Sequence, residues 1–311
     1  MKPESGITDV IIIGGSHSGL SAALTLYRAR HTSLIFDAGT PRNGIADHVH
    51  MMPGWDGKDP NELREACRDE LRATGLVQFV PLRVVSVTKG PDGLFEVVDS
   101  EEGHWKGRKI LLAFGVQETF PNIEGFAENY GKYIYHCMFC LGYEKRGSSM
   151  AAVLAQGPLS DATIAAIFAT DTKKFAKHVK IYTNGNPTLA AALSEKTLKG
   201  TEVDNRKVKQ IFKVANDEIG IEFDEGPGDT LAFMVHQPEM NVDRTLPDQL
   251  GCECVPKVGI KINPPFNSTT APGVYAAGDC CSSLRSVLTG MSMGSCAAVG
   301  IAREIPPGDD E

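Results

Sequence analysis

Residues 9–19 read DVIIIGGSHSG and contain the strongest fold signal of the chain. Its apolar run at 10–13 contains only valine and isoleucine, which predicts a parallel strand buried on both faces. A glycine-rich turn follows, LSAALTLY at 20–27 predicts a helix, and SLIF at 33–36 predicts a second strand that leads to Asp37. This order of strand, turn, helix, strand and acid is typical of a βαβ unit that binds a dinucleotide.

The parts of this unit have separate chemical roles. Gly14, Gly15 and Gly19 permit a tight turn and close packing of the helix, whose N-terminus attracts a diphosphate. The Asp37 carboxylate can accept a hydrogen bond from a ribose hydroxyl. The middle glycine of the usual G-x-G-x-x-G pattern is Ser16 here, and its small side chain hinders close backbone approach without forbidding it. We therefore predict a dinucleotide site in this unit.

A pair of thiols stands near the middle of the chain, where residues 135–144 read YHCMFCLGYE. Residues spaced like Cys137 and Cys140 lie roughly 5–6 Å apart on one helical turn, within reach of a disulfide. A helix start or a neighbouring imidazolium, here His136, lowers the pKa of a thiol. The pattern indicates an exchanging dithiol. A structural zinc half-site and two buried core cysteines remain open as alternatives. Zinc would need two more ligands, and Cys252 and Cys254 stand at an atypical one-residue spacing.

A second βαβ unit is indicated by a strand before residue 155, a helix over 162–168 and a strand over 179–183. Its turn keeps only Gly157 of the three glycines and contains Pro158. The segment TNGNP at 183–187 has neither an arginine for a 2′-phosphate nor an acid for a 2′-hydroxyl. We therefore predict a Rossmann-like domain whose nicotinamide-nucleotide site is degraded.

The composition excludes several classes of protein. The 311 residues carry a formal net charge of −8, which argues against a nucleic-acid partner. Eight cysteines in a chain of this length are too sparse for a disulfide-rich secreted scaffold. The start lacks the apolar core of a signal peptide, and no run approaches the ~20 apolar residues of a membrane span. We expect a cytoplasmic protein without a membrane partner, in which a CxxC pair is more often redox-active than structural.

Four elements now stand in order: the glycine turn, the dithiol, the degraded second turn and the Ala-Gly-Asp sequence at 277–279. This order resembles the low-molecular-weight thioredoxin reductase family of flavoproteins over nearly the whole chain. The resemblance implies an α/β fold with two Rossmann-like, three-layer (ββα/αβα) nucleotide-binding domains. It also implies a discontinuous FAD-binding domain at 1–120 and 243–311, a CxxC-bearing domain at 121–242, and a homodimer.

In that family FAD lies across the first domain, the Ala-Gly-Asp aspartate bonds the ribityl chain, and the following helix, expected here over 284–301, directs its positive end at the flavin. Carried over, the expected FAD-binding residues are Gly14, Gly15, Ser16, Ser18, Gly19, Asp37, Ala38, Arg42, Asn43, His50, Val84, Ala113, Gly115, Gly278, Asp279, Ser286 and Val287.

Within the family, the Gly-Gly-Ser turn, the C-x-x-C-x-G-Y-E sequence and the missing nicotinamide signals look like the small-molecule dithiol oxidases. Those enzymes close the disulfide of epidithiodiketopiperazines such as gliotoxin and pass the electrons through FAD to O2, giving H2O2. The resemblance implies a small-molecule dithiol substrate, with Cys137 facing substrate and Cys140 facing the flavin. The reductases usually carry an acid, and the oxidases often a histidine, where Leu141 stands here. His136 is therefore the candidate base, with His48 and His50 more distant candidates.

Two alternative functions stay open at this point: an NADPH-dependent disulfide reductase, and a flavin-bound sensor that uses the dithiol without turnover. Met138 and Phe139 are expected to form an apolar lip beside the dithiol. The neighbours Cys280 and Cys281 follow Asp279 directly, but we expect core thiols there because disulfides between adjacent residues are strained and rare.

Overall fold

The computed structural model describes residues 6–196 and 200–306. Its internal contacts form two compact units. The first unit runs to Asp47, resumes over Lys58–Gln117 and continues from Met240. The second comprises His48–Gly57 and Glu118–Glu239. The segment 48–57 is predicted to belong to the first domain, but its contacts group it with the second unit. The domain division itself stays a prediction.

The strands of the described chain are short and numerous. They are β1 Thr8–Ile13, β2 Ser33–Phe36, β3 Val77–Val80, β4 Val84–Lys89, β5 Phe95–Asp99, β6 His104–Leu112, β7 Gln117–Thr119, β8 Ile134–Tyr135, β9 Ser148–Leu154, β10 Ala176–Tyr182, β11 Thr201–Asp204, β12 Val208–Lys213, β13 Ile219–Phe223, β14 Asp229–Leu231, β15 Phe233–Val235, β16 Glu239–Asn241, β17 Cys254–Val255, β18 Gly259–Ile260 and β19 Val274–Ala276. The helices are α1 His17–Arg28, α2 Pro60–Arg72, α3 Phe126–Asn129, α4 Met138–Leu141, α5 Ala162–Thr172, α6 Pro187–Ser194, α7 Thr245–Gln249 and α8 Val287–Glu304.

The first unit is built on one sheet of order β3-β2-β1-β6-β5-β4, with β19 also pairing β6. Strands β3, β2, β1, β6 and β19 run parallel, and β4 and β5 are antiparallel additions. Strand β1 lies at the centre, where Ile11 pairs with Leu34 on one side and Ile110 on the other. Ile11 belongs to the core on one face and Ile12 to the core on the other, so the predicted two-sided burial is confirmed.

Helices α1 and α8 pack closely in the first unit. A side chain at Gly294 would place its Cβ 2.1 Å from the Ser18 carbonyl oxygen, so only glycine allows this approach. The Ser21 hydroxyl donates to the Met291 carbonyl at 2.7 Å. The small residues noted in the last helix therefore serve contact with α1. The helix begins at Val287, after the N-cap residue Ser286, a few residues later than the predicted start at 284.

The second unit contains a parallel sheet of order β11-β10-β9-β15-β8. A separate three-stranded sheet, β12-β13-β14, is antiparallel. Strand β9, helix α5 and strand β10 form the predicted second βαβ unit. The α/β class is thereby confirmed. No helix in the described part of the chain is long and apolar enough to cross a membrane.

Candidate active site

A cavity of about 440 Å³ lies in the first unit, at the carboxyl ends of β1, β2 and β6. This is the edge at which open parallel sheets bind ligands. Most residues expected to bind FAD line it: Gly14, Gly15, Ser16, Ser18, Asp37, Ala38, Arg42, Asn43, Val84, Ala113, Gly115, Asp279, Ser286 and Val287. The chain therefore brings segments from its start, middle and end to one concave surface.

Three of the expected residues lie outside this lining. Gly19 supports the turn from behind, because a Cβ there would stand 2.0 Å from the Gly14 carbonyl oxygen. Gly278 lies against the Ser18 side chain and immediately precedes Asp279. His50 belongs to the second unit, where its ring nitrogens lie 3.4 Å from Asp56 Oδ1 and 3.8 Å from Glu144 Oε1.

Two of the carboxylates that line the cavity, those of Asp37 and Asp279, are held by arginines. Asp37 accepts a hydrogen bond from the Gly39 amide at 2.9 Å through Oδ1 and pairs with the Arg68 guanidinium through Oδ2. Arg42 Nε donates to Asp279 Oδ2 at 2.8 Å, across 237 positions of sequence. Both carboxylates are thus oriented at the cavity wall, where hydroxyl donors of a ribose or a ribityl chain can reach their remaining lone pairs.

His17 is a cavity residue that the sequence analysis did not single out. Asn43 Oδ1 accepts from Arg64 Nη1 at 2.8 Å, so the Asn43 amide nitrogen is the atom 3.4 Å from His17 Nε2. An amide nitrogen donates, and therefore Nε2 accepts and the ring proton resides on Nδ1. Burial, with the positive charges of Arg64 and Arg68, lowers the pKa of His17 to about 4. The imidazole is neutral at pH 7.

These features fit a dinucleotide. His17 Nδ1 is buried without a hydrogen-bond partner among the described residues, and four arginines, Arg42, Arg64, Arg68 and Arg83, line the same cavity. The side chain of Ser16, the N-cap residue of α1, makes no capping bond to a described residue, so the first-turn amides remain open to an anion. The arginines on α2 could have been noticed in the sequence as a basic helix face following the βαβ unit.

The dithiol lies in the second unit, on a single helical turn. Cys137 and Cys140 form a disulfide with a Cα–Cα distance of 5.3 Å, as the spacing predicted. Cys137 is the N-cap residue of α4, and its Sγ accepts a hydrogen bond from the Cys140 amide at 3.1 Å. A sulfur in this position is stabilised as a thiolate when the disulfide opens. The described residues contain no group of three or more His, Cys, Asp or Glu side chains that could hold a metal.

The neighbouring side chains of the dithiol differ from the expected lip. Met138 is only 4% exposed and packs in the core with Tyr135 and Phe233. Phe139 is 71% exposed. The expectation for Met138 is therefore wrong, because adjacent side chains on a helical turn point about 100° apart and only that of Met138 faces the core. His136 is partly buried, with its ring 6.1 Å from that of Tyr130.

The remaining adjacent cysteines are core thiols, as expected. Cys280 and Cys281 are buried and are not disulfide-bonded in the described part of the chain. Cys280 Sγ lies 3.4 Å from the Leu112 carbonyl oxygen. The contact with Cys280 and burial raise the pKa of Cys281, so this thiol stays protonated.

The second βαβ unit has a different helix start from the first. Asp161 caps α5, and its Oδ1 accepts from the Thr163 and Ile164 amides at 2.8 and 3.0 Å. A carboxylate thus accepts from first-turn amides of α5, the kind of donors that hold a diphosphate in a dinucleotide-binding βαβ unit. Nearby, Gln156 Oε1 accepts from Asn184 Nδ2 at 2.8 Å, which links the two loops that follow β9 and β10. The aspartate directly before a helical pattern is a recognisable N-cap signal that the sequence analysis passed over.

The fold and the cavity define a dinucleotide-binding oxidoreductase with an internal dithiol. The profile of the family described as pyridine nucleotide-disulphide oxidoreductase matches residues 8–294, and the chain belongs to this family. It is 35% identical to thioredoxin reductase sirT of Leptosphaeria maculans, over 95% of this chain and 93% of that protein. It is 37% identical to thioredoxin reductase aclD of Aspergillus oryzae, over 96% of each chain.

A crystal structure of putative thioredoxin reductase TrxB from Bacillus anthracis superposes with a TM-score of 0.85 at 27% identity, covering 96% of this chain and 98% of that one. The resemblance to thioredoxin reductase-type flavoproteins is thereby confirmed. FAD is the cofactor, since this family and its structural neighbours are FAD-binding flavoproteins.

Proposed function

We propose that this protein is a FAD-dependent dithiol oxidase that closes an intramolecular disulfide in a small-molecule natural product of the epidithiodiketopiperazine type. The observation that carries the proposal is the contrast between the two helix starts. The N-cap residue of α1 leaves the first-turn amides to a dinucleotide, whereas the Asp161 carboxylate occupies those of α5. The chain has a flavin cavity and a dithiol, whereas the helix start of its second βαβ unit is capped by the Asp161 carboxylate, which disfavours a nicotinamide nucleotide there. The electrons for the flavin are therefore assigned to a thiol substrate.

Dithiol oxidation proceeds by two exchanges. A substrate thiolate attacks Sγ of Cys137, which breaks the disulfide and leaves Cys140 as a thiolate. The second substrate thiol, once deprotonated, attacks the substrate sulfur that is bound to Cys137. This closes the disulfide of the product and releases the Cys137 thiolate. The Cys140 amide, 3.1 Å from Cys137 Sγ, lowers the energy of that leaving thiolate. His136, directly before Cys137, accepts the thiol proton.

FAD, when bound, would supply a two-electron acceptor for the dithiol, with O2 as the final oxidant, so that Cys137 and Cys140 return to the disulfide. The balance is one dithiol and one O2 consumed for each cyclic disulfide and H2O2 formed. Within the cavity, Arg42 fixes Asp279 for the ribityl hydroxyls, and Arg68 fixes Asp37 for the ribose. The arginines and the open helix start of α1 hold the diphosphate.

The alternative function is an NADPH-dependent disulfide reductase, which the names of the relatives favour. Anaerobic stopped-flow mixing separates the two. We expect dithiothreitol to bleach the flavin absorbance and air to restore it with release of one H2O2 per dithiol, while NADPH leaves the flavin oxidised. Rapid bleaching by NADPH would establish the reductase instead. A flavin that neither compound reduces would leave the sensor function.

Two cysteine variants test the exchange route. Cys140→Ser should abolish bleaching by dithiothreitol, because no thiolate remains to deliver electrons to the flavin. Cys254→Ser is the matched control, since it removes a half-buried thiol that is not disulfide-bonded. Turnover by Cys140→Ser at the wild-type rate would contradict the route. Sedimentation of the holoenzyme tests the homodimer expected from the resemblance.

A further inference from the structure

The turn that carries the dithiol presents two aromatic rings to solvent. Phe139 is 71% exposed and Tyr143 is 63% exposed, although aromatic side chains of this size are usually buried. They are four positions apart, and Gly142 between them keeps helical angles (φ −76°, ψ −33°). Residues at this spacing lie on one side of a helical turn. In the sequence, Cys140 stands between the two aromatic residues and directly follows Phe139.

The inner side of this turn is anchored, which fixes the outer side in place. Met138 is buried in the core, and a Cβ at Gly142 would stand 2.7 Å from the ring of Phe175. The turn therefore has no freedom to fold Phe139 inward in exchange for Met138. Met138 is buried and Phe139 is exposed because the turn is packed against the core in one fixed orientation, not because the loop is poorly packed.

Each exposed ring has a cation beside it. Lys174 Nζ lies 6.0 Å from the centre of the Phe139 ring and donates to Asp171 Oδ1 at 2.6 Å. Arg146 Cζ lies 4.2 Å from the centre of the Tyr143 ring, and its Nη1 donates to the Tyr143 carbonyl at 2.8 Å. A cation beside a ring is attracted to its π face and restrains the orientation of the ring. The two rings are thus held ready for a ligand.

We propose that Phe139 and Tyr143 form a substrate platform that selects small dithiols whose skeleton carries an apolar or aromatic face. The proposal rests on the proposed dithiol oxidation. The extent of the platform favours a small molecule over a protein. Two aromatic side chains bury at most about 300–500 Å² together, whereas a stable protein interface buries about 800 Å² on each partner. A ligand of one or two rings covers the platform while its thiol reaches the disulfide.

A matched pair of dithiols tests the platform. Dithiothreitol and 1,2-benzenedimethanethiol both close a six-membered cyclic disulfide, but only the second carries an aromatic ring. The rate of anaerobic flavin bleaching gives a second-order rate constant for each. In the Phe139→Ala/Tyr143→Ala holoenzyme we expect this constant to fall about tenfold for the aromatic dithiol, since an aromatic contact contributes about 0.5–1.5 kcal/mol. For dithiothreitol the change should stay within about twofold.

Phe212→Ala is the matched control, because Phe212 is also exposed in the second unit but belongs to the antiparallel sheet of β12. It should leave both constants unchanged. Equal loss for both dithiols in the double variant, or no loss for the aromatic one, would overturn the platform. The platform would also be overturned if, in the double variant, the rate constant for flavin bleaching by a reduced thioredoxin fell more than the constant for the aromatic dithiol. If neither dithiol bleaches the wild-type flavin, the proposed function itself fails, which is a distinguishable result.

Discussion

The acid stability of the FAD-free protein tests the environment of His17. The ordinary pKa of histidine is 6.5, and burial with the charges of Arg64 and Arg68 lowers the pKa of His17 to about 4. Between these values the unfolded chain binds a proton that the native protein excludes. Stability is therefore unaffected by this group above pH 6.5 and falls as the pH is lowered from 6.5 to 4. At 1.36 kcal/mol per pKa unit, the loss is about 3 kcal/mol.

The variant His17→Gln separates this effect from all other acid titrations, because glutamine keeps a polar side chain but does not titrate. From pH 7 to pH 4, we expect the unfolding free energy of the wild type to fall by about 3 kcal/mol more than that of the variant. The FAD-free protein is required, since a bound diphosphate attracts the proton and raises the pKa of His17.

Urea unfolding provides the measurement, followed by the fluorescence of Trp105, which is buried in the first unit against Phe36. A Trp55→Phe background removes the only other tryptophan, which lies in the segment grouped with the second unit. His104→Gln is the control, because it deletes an exposed imidazole from the same sheet. Parallel pH profiles for wild type and His17→Gln would refute the interpretation of His17 as a neutral, desolvated imidazole.

Three further predictions concern the two nucleotide units. Gly294→Ala forces its Cβ against the Ser18 carbonyl, so we expect a loss of about 1–3 kcal/mol in thermal unfolding and weaker FAD retention; a melting temperature equal to wild type would contradict this packing. Asp161→Asn keeps the helix cap but removes the negative charge, so calorimetry should show stability within about 0.5 kcal/mol and measurable ADP binding, absent in wild type. Arg42→Met removes the partner that orients Asp279, so FAD titration of the flavin-free protein should give about ten- to hundredfold weaker binding. Unchanged affinity would show that this ion pair does not contribute to cofactor binding.

Local patterns were sufficient for the elements of the fold. The strand at 10–13, the glycine turn and the dithiol spacing are each set by residues within a few positions of one another, because strand burial, turn formation and disulfide reach depend on short-range geometry. The resemblance then supplied the cavity residues from the start, middle and end of the chain. The expectation of an apolar lip, drawn from the two residues between the cysteines, was wrong for Met138. A helical turn has a side that faces the core and a side that faces solvent, and two adjacent apolar residues do not show which of them faces the core.

An α/β chain with a dinucleotide turn, a dithiol and a weakened second turn can be recognised from the order of residues alone. The pairing of Arg42 with Asp279 across 237 positions, and the position of His17 beside arginines of α2, became visible in the folded chain. It also grouped the segment 48–57 with the second unit. Such pairings depend on which strand lies beside which in the sheet, and the physical reason is that burial and charge act between residues near in space, however far apart they stand in the chain.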